Sequence, residues 1–429
     1  MPGYGPLRPD PEGLLDLPEG FHYRVISRVG QDMDDGFVVP GLADGMHAFP
    51  ATDGRTILLR NHELNPDSRA TPFRAMKGSL SDSQLARIYD PGAGRGGVTT
   101  LVVDTADDTV ERQFLSLAGT LRNCSGGATP WGSWVSSEEI VISPGQYGAR
   151  REHGYNFEVP AAATALVEPL PLKAMGRFNH EAVAVDGRTG VVYQTEDRKD
   201  SLFYRFLPRE QQRLGAGGRL QAMVIRGLPG VHTGNRGDAA TTFATADAFP
   251  VDWVDLDSPL SPNDDLRHQG HSKGAAIFVR GEGMTVEVDA TGTCIWFVST
   301  TGGPGGLGQL WCYRPAADEG APGEQKHPGT IQLGVEPRKV ELLQNADNLT
   351  LSPFGDLFVC EDNPVAQHIV GITASGGMYR FAANARRDSE FAGATFSPDG
   401  STLFFNIQQP GLTFAVKGPW AARRASGDS

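Results

Sequence analysis

Short extended runs separated by glycine, proline and aspartate turns recur along the whole chain, and few windows carry a helical period of apolar residues. One unit keeps returning: an extended run meets a glycine turn and comes back in a second run that ends in acidic or amide residues. Residues 47–53, a turn at Gly54 and Arg55, and residues 56–63 make the first unit, which closes on Arg60, Asn61, His62 and Glu63. Residues 127–139 form a shortened second unit. The third runs through 180–186, turns at 187–190 and returns along 191–197, opening on His180 and Glu181 and closing on Glu196 and Asp197. The fourth spans 280–283, a turn at 289–292 and a return along 294–301; the fifth opens on Asp347 and Asn348, turns at 352–356 and closes on Glu361 and Asp362. Residues 390–396 begin the sixth, whose turn at 397–400 leads into 403–409.

Six such units fit a toroid, so the expected fold is all-β, a six-bladed β-propeller with inserted loops and short helices. Their spacing of about 50 to 100 residues exceeds the roughly 40 to 50 of a minimal blade, which requires insertions. The longest, 207–281, is rich in polar turns and has room for a helix, although 264–273 shows no clear period of 3.6; short helices are also allowed around 81–89. Proline-rich residues 1–20 are expected to run extended along the surface and 21–29 to form the first β-like run. Residues 21–420 then make one propeller domain and 421–429 a disordered tail.

Composition narrows the chemistry. The 54 glycines and 30 prolines of the 429 residues are spread along the chain, as many short strands and turns require. With 38 basic against 51 acidic residues the net charge is -13, which argues against a general affinity for nucleic-acid backbones and is compatible with local cation binding. No run of about 18 apolar residues exists to span a bilayer. The first residues show no basic segment followed by an apolar one, so no export signal is expected in the sequence as given. The four cysteines, Cys124, Cys294, Cys312 and Cys360, form no Cys-x-x-Cys pair and are too few to staple a chain this long. Cys294, Cys312 and Cys360 sit in apolar runs and read as core residues.

Residues 123–139 concentrate the candidate chemistry. Glycine-rich backbone at 125–129 permits close approach to an ion or phosphate, and the run 131–137 should be extended and deliver Glu138 and Glu139 at its end. In a hairpin, the residues that open the first strand and close the second lie at the same end, and in a toroid of hairpins those ends converge. That gathers Glu63, Cys124, Glu138, Glu139, Glu181, Glu196, Asp197, Glu282, Asp347, Glu361, Asp362 and Asn406 on one face. So many carboxylates share a small volume only when protonated or bound to cations. Oxygen ligands in excess select Ca²⁺ or a similar hard ion, and one thiolate admits a transition metal. Taken singly, an acidic residue at a strand end such as Glu138, Glu196 or Asp362 is more often just solvated. His62 and His180 each precede a glutamate and are either orienting partners of a ligand or structural residues. Arg280 is two residues before Glu282, so in an extended strand both face the same way; its guanidinium is either a phosphate clamp or an ordinary ion-pair partner.

Several motifs coincide with those of a known family: Arg60-Asn61-His62-Glu63, the run 124–132 with Glu138 and Glu139, the run 177–181, the run 280–283, the run 300–303, Asp347-Asn348, Cys360-Glu361-Asp362, and the 397–400 turn with Asn406. Together they resemble the PhoX-type alkaline phosphatases over about residues 5–420. The resemblance implies a six-bladed propeller whose axial site holds two iron ions and several calcium ions. It implies that Glu63, Glu181 and Glu282 are carboxylate ligands, that Cys124 is the thiolate bridging the irons, and that Asp362 and Glu361 are ligands on a later blade. Glu139, Glu196 and Asp197 become calcium ligands, and Arg280 the contact to substrate phosphate. It further implies a small-molecule phosphomonoester as substrate, a monomer, and action outside the cytoplasm after twin-arginine export.

The residues themselves agree with metal-assisted hydrolysis, because neither a Gly-x-Ser-x-Gly elbow nor a Gly-x-x-x-x-Gly-Lys loop is present. Two other classes share parts of the pattern. A calcium-dependent lactonase of propeller fold uses axial carboxylates and asparagines but has no evident use for Cys124 or Arg280. A non-catalytic propeller scaffold treats the acidic face as a structural calcium site.

Overall fold

The computed structural model describes residues 2–73, 80–237, 241–386 and 389–422. Three strands come from the N-terminal region: β1 (Leu7–Arg8), β2 (Leu15–Pro18) and β3 (His22–Arg28). A four-stranded sheet follows, made of β4 (Ala43–Pro50), β5 (Arg55–His62), β6 (Gly96–Asp104) and β7 (Thr109–Thr120). Next comes a three-stranded sheet of β8 (Asn123–Ala128), β9 (Ser133–Glu138) and β10 (Asn156–Pro160). The following sheet has nine strands. Its first half is β11 (His180–Val185), β12 (Val192–Glu196), β13 (Phe203–Pro208) and β14 (Gly218–Ile225), and its second half is β16 (Gly281–Asp289), β17 (Gly292–Ser299), β18 (Gln309–Arg314) and β19 (Thr330–Val335). The long β15 (Ala248–Asp255) pairs with both β14 and β19 and joins the halves.

Strands β20 (Ala346–Leu351), β21 (Leu357–Glu361), β22 (His368–Ile372) and β23 (Met378–Asn384) form a sheet that β2 and β1 extend. The last comprises β24 (Phe391–Phe396), β25 (Thr402–Ile407) and β26 (Leu412–Lys417), with β3 as its fourth strand. An N-terminal strand thus completes the C-terminal sheet and clasps the chain ends together, which leaves no open seam.

The opening strands form a closed ring: β4 packs on β8, β8 on β11, β11 on β16, β16 on β20, β20 on β24, and β24 on β4. The architecture is all-β and propeller-like. Among the described residues the sheets number five rather than the six expected, because β15 welds two four-stranded meanders into one sheet through main-chain hydrogen bonds.

Glycine is required where inner strands nearly touch. A Cβ on Gly127 would lie 1.9 Å from Val183 O, and one on Gly393, whose φ is +64°, 2.2 Å from Asp44 O. Aromatic clusters hold the ring, the first between the two halves of the nine-stranded sheet and the second between the last two sheets. The first is built from Phe203, Phe278, Phe297, Trp311 and Tyr313, the second from Phe358, Phe381, Phe405 and Phe414, all buried. Truncating one such aromatic to alanine costs about 3 to 5 kcal/mol.

One local expectation needs correction and two others gain detail. Strand structure starts before residue 21: Leu15 and Leu17 alternate in β2 and are buried, and β2 pairs with β23. Residues 264–273 contain a helix, α2 (Leu266–Ser272); it buries only Leu266 and Gly270, too little to leave a visible period. Cys294 and Cys312 are joined by a disulfide, since register brings β17 and β18 side by side, whereas Cys124 and Cys360 are free and buried. A helix, α1 (Asp82–Leu85), does form within 81–89, capped by Ser81 and Gln84. Of the expected tail, residues 423–429 lie outside the described residues.

Candidate metal centre and active site

The same irregularity occurs at the axial end of all six hairpins, the sixth shifting after Ala392, and five of them bring an acid or a thiol to the axis. Ala43 pairs with His62, Asn123 with Glu138, His180 with Glu196, Gly281 with Ser299, and Ala346 with Glu361, and in each case the register then shifts along the inner strand. A bulge re-aims the residue that follows. Here the following residues are Asp44, Cys124, Glu181, Glu282 and Asp347. One residue beyond the partner strands come Glu63, Glu139, Asp197, Thr300 and Asp362. In the last hairpin the equivalent position is Gln408, whose Nε2 donates to Asp44 and, at 3.0 Å, to Glu63 Oε2.

These side chains meet in three overlapping triads whose ligand atoms lie within 4.8 Å of one another: Asp44, Glu63 and Cys124; Cys124, Glu139 and Glu181; Glu181, Glu282 and Asp347. Burial pushes the Asp44, Glu139, Glu181, Glu282 and Asp347 carboxyls up, and their mutual repulsion adds to it. Glu390, ahead of β24, is raised for the same two reasons, facing Asp362, Asp347, Asp44 and Glu63. Burial likewise raises the Cys124 thiol, with Asp44, Glu181 and Glu63 adding to it, and its Sγ donates to Glu181 Oε1 at 3.6 Å. Two buried oxygens of the cluster, Asp44 Oδ1 and Glu181 Oε2, have no hydrogen-bond partner among the described residues.

Two guanidiniums face the cluster. Arg280 Nε and Nη2 fork onto Asp197 at 2.7 and 2.8 Å, and Nη2 also reaches Glu282 Oε1 at 2.8 Å. Arg122 Nε and Nη2 donate to Glu63 Oε1 at 3.1 and 2.8 Å, and Nη2 to Glu139 Oε2 at 2.6 Å. The hydrogen bond to Asp197 is the largest influence raising the Arg280 pKa. For Arg122 burial opposes the charge, and Glu139 and Glu63 outweigh it. The side chains remain 34% and 30% exposed, so both arginines are fixed by carboxylates and still open on one side.

The structure therefore brings Glu63, Cys124, Glu139, Glu181 and Glu282 together, and places Asp197 and Arg280 at their edge. Asp362 lies close enough to Asp347 and Glu390 to raise both. It does not bring Glu196 or Glu361 into the cluster. Glu196 Oε2 accepts from Tyr204 Oη at 2.7 Å inside its sheet, and burial pushes its carboxyl up to about 7. Glu361 accepts from Gln344 N at 2.8 Å, with His368 Nδ1 also 2.8 Å away. Glu138 behaves alike: His153 Nδ1 is 2.6 Å away, and Leu121 N and Gly154 N donate to it at 2.9 Å. His62 is held by Gly41 O and Thr99 Oγ1, and His180 by Gly176 O and stacking on Phe178. Asn406 donates to Asp44 O and so supports the backbone.

Sequence reasoning missed Asp44, Arg122, Glu390 and Gln408. The first hairpin was expected to open at residue 47, whereas β4 begins at Ala43. The signal was present, since Asp44-Gly45 repeats the acid-glycine pattern of Glu282-Gly283. Arg280 is not in a strand. Its φ is +54° and β16 starts after it, so the alternation argument for its direction does not apply, although its guanidinium still reaches Glu282.

A propeller-like ring whose hub gathers a buried thiol and an excess of carboxylates, with two partly open arginines at the rim, defines a metal-binding hydrolase of anionic substrates. The chain belongs to the alkaline phosphatase PhoX family: the family's sequence profile matches residues 2–112 and 102–411. The family resemblance read from the motifs is thereby borne out, and the protein is a metal-dependent phosphomonoesterase. Among solved structures, Pseudomonas fluorescens PhoX in complex with vanadate, a transition state analogue, superposes with a TM-score of 0.67 at 17% identity over 97% of both chains. A Xanthomonas campestris gluconolactonase gives a TM-score of 0.43 at 13% identity, covering 98% of this chain and 99% of its own. The calcium-binding protein regucalcin from Agrobacterium tumefaciens gives 0.41 at 11%, covering 92% and 96%. A search of curated proteins found no match.

Proposed function

We propose that the axial cluster is the catalytic centre, that it holds two iron ions and several calcium ions, and that Arg280 and Arg122 bind the phosphoryl oxygens of a small-molecule phosphomonoester. One observation carries this reading: six carboxylates and one thiol in three triads, two of the carboxylates with an unpartnered buried oxygen, face only two guanidiniums among the described residues. Removal from water without counter-charge is costly for so many ionised groups, and cations with oxygen and thiolate ligands supply it. Asp44, Glu63, Cys124, Glu139, Glu181, Glu282 and Asp347 would hold them, with Asp197, Asp362 and Glu390 at the margin. Glu196 and Glu361, once read as ligands, serve as supports within their sheets.

Bound there, such cations polarise phosphoryl oxygens and lower the pKa of water. The chain's own groups do the rest. Carboxyl and thiol protons held by the cluster leave as it takes up its ions. Asp197 fixes the Arg280 fork, so the open edge of that guanidinium meets an anion without reorganising. Arg122, held by Glu63 and Glu139, does the same, and together they orient three charged oxygens and spread the charge that grows in the transition state. Gln408 locks Asp44 to Glu63.

We further infer that the two halves of the nine-stranded sheet are separate blades bridged by β15, which makes the propeller six-bladed, and that the chain acts as a monomer outside the cytoplasm. The closed ring of opening strands supports the first inference, and the disulfide of Cys294 and Cys312 supports the last. Metal analysis of the purified protein, with p-nitrophenyl phosphate as substrate, tests the core reading. Iron together with calcium, and hydrolysis lost on chelation, is the expected result. Full activity without metal, or calcium alone and no hydrolysis, overturns it.

A further inference from the structure

Beside Arg280 the surface carries a cavity of about 430 Å³ lined by Lys199, His232, Arg236, Val279 and Thr301. Its walls neighbour Arg280 in the main chain: Arg280 N donates to Arg198 O and Thr300 N to Arg280 O, both at 2.9 Å. Lys199 thus follows the ends of β12 that carry Asp197, Thr301 follows the end of β17, and Val279 adjoins Arg280 itself. Arg236 crosses the gap by donating to Thr301 O at 3.3 Å.

The charge of this wall runs against that of the molecule, whose net charge is -13. Nearby basic residues are neutralised: Arg198 by Asp264 at 2.9 Å, Arg267 by Asp200 at 3.1 Å, and Arg280 by Asp197. Lys199 and Arg236 have no carboxylate partner among the described residues. Basic groups gathered round one cavity repel each other, and an anion placed among them reverses the sign of that interaction. An anion bound at Arg280 lies next door, so a molecule spanning both places carries two negative groups.

We propose that this cavity is a subsite for a second anionic group, a carboxylate or a phosphate, on the leaving group of the substrate. The inference rests on the phosphatase reading of the axial cluster. Lys199 and Arg236 supply charge-assisted hydrogen bonds to that group, and Val279 and Thr301 shape the wall. The enzyme accordingly prefers phosphomonoesters with an acidic leaving group over neutral ones of the same size.

The test compares kcat/KM on two matched pairs, 3-phosphoglycerate against glycerol 3-phosphate for a carboxylate, and fructose 1,6-bisphosphate against fructose 6-phosphate for a phosphate. Metal-loaded wild type should favour the more anionic member of at least one pair by about tenfold or more. Lys199→Gln/Arg236→Gln should lower kcat/KM for that member at least about fivefold more than for its partner, and Lys199→Glu/Arg236→Glu should reverse the preference. Hydrolysis of all four without preference, or equal losses on both members of each pair, overturns the subsite alone. Hydrolysis of none by the metal-loaded enzyme overturns the phosphatase reading and the subsite with it.

Discussion

Three acidic doublets, Glu138-Glu139, Glu196-Asp197 and Glu361-Asp362, close three hairpins, and in each the two neighbours live in different surroundings. The first residue points back into its sheet and is bonded there: Glu138 to His153 and backbone amides, Glu196 to Tyr204, Glu361 to Gln344 N with His368 beside it. The second faces the axis: Glu139 bonds Arg122, Asp197 bonds Arg280, and Asp362 raises Asp347. His62-Glu63 follows the same rule, with His62 between Gly41 and Thr99 and Glu63 at Arg122. Alternation along an extended chain makes the difference. The lesson is that an acidic pair at a strand end is one support and one ligand candidate, not two ligands.

This contrast can be broken or sharpened by substitution. The largest effect is expected from Cys124→Ser, which removes the one thiol of the candidate triads. Activity on p-nitrophenyl phosphate should vanish and any visible absorption band should bleach while circular dichroism stays that of a folded protein; wild-type behaviour would make the thiol structural. Glu181→Gln follows. It should cut kcat/KM by about a hundredfold or more with loss of bound metal, exceeding what outer supports of a metal site contribute.

Glu138→Ala should show the opposite profile. It leaves His153 Nδ1 and the amides of Leu121 and Gly154 without their partner in the interior, at about 1 to 3 kcal/mol for each buried group. Urea unfolding should move to lower denaturant by the equivalent of about 3 kcal/mol, with stoichiometric metal in the molecules that remain folded. Metal loss without destabilisation would place Glu138 on the axis and end the two-role reading.

Arg280→Ala removes the proposed contact to substrate phosphate, worth about 1.5 to 3 kcal/mol on that reading. A loss of at least about tenfold in kcat/KM and weaker inhibition by inorganic phosphate are expected, with metal content near wild type. Loss of metal with unchanged phosphate inhibition would make Arg280 only the partner of Asp197 and Glu282. The smallest effect is expected for Glu196→Gln. The amide can keep the bond to Tyr204 Oη, so kcat/KM should stay within about threefold and stability within about 1.5 kcal/mol; a hundredfold loss of activity would return Glu196 to the metal centre.

What the sequence determined by itself was the repeat and its chemistry. Paired extended runs about a glycine turn, closing on acids, required hairpins whose ends share one side, and a thiol among crowded carboxylates required protonation or cations. These follow from local properties, the two-residue period of a strand and the cost of crowding like charges. Tertiary structure alone decided which acids meet. The bulges after Ala43, Asn123, His180, Gly281 and Ala346 are matters of register between strands, and no single run reveals them. Arg122 and Gln408 enter the site only because the ring closes and sets residues more than 280 positions apart beside the same Glu63. The union of two meanders through β15 and the disulfide between Cys294 and Cys312 depend likewise on strand order, which is fixed by packing between sheets and not by the pattern within any one of them.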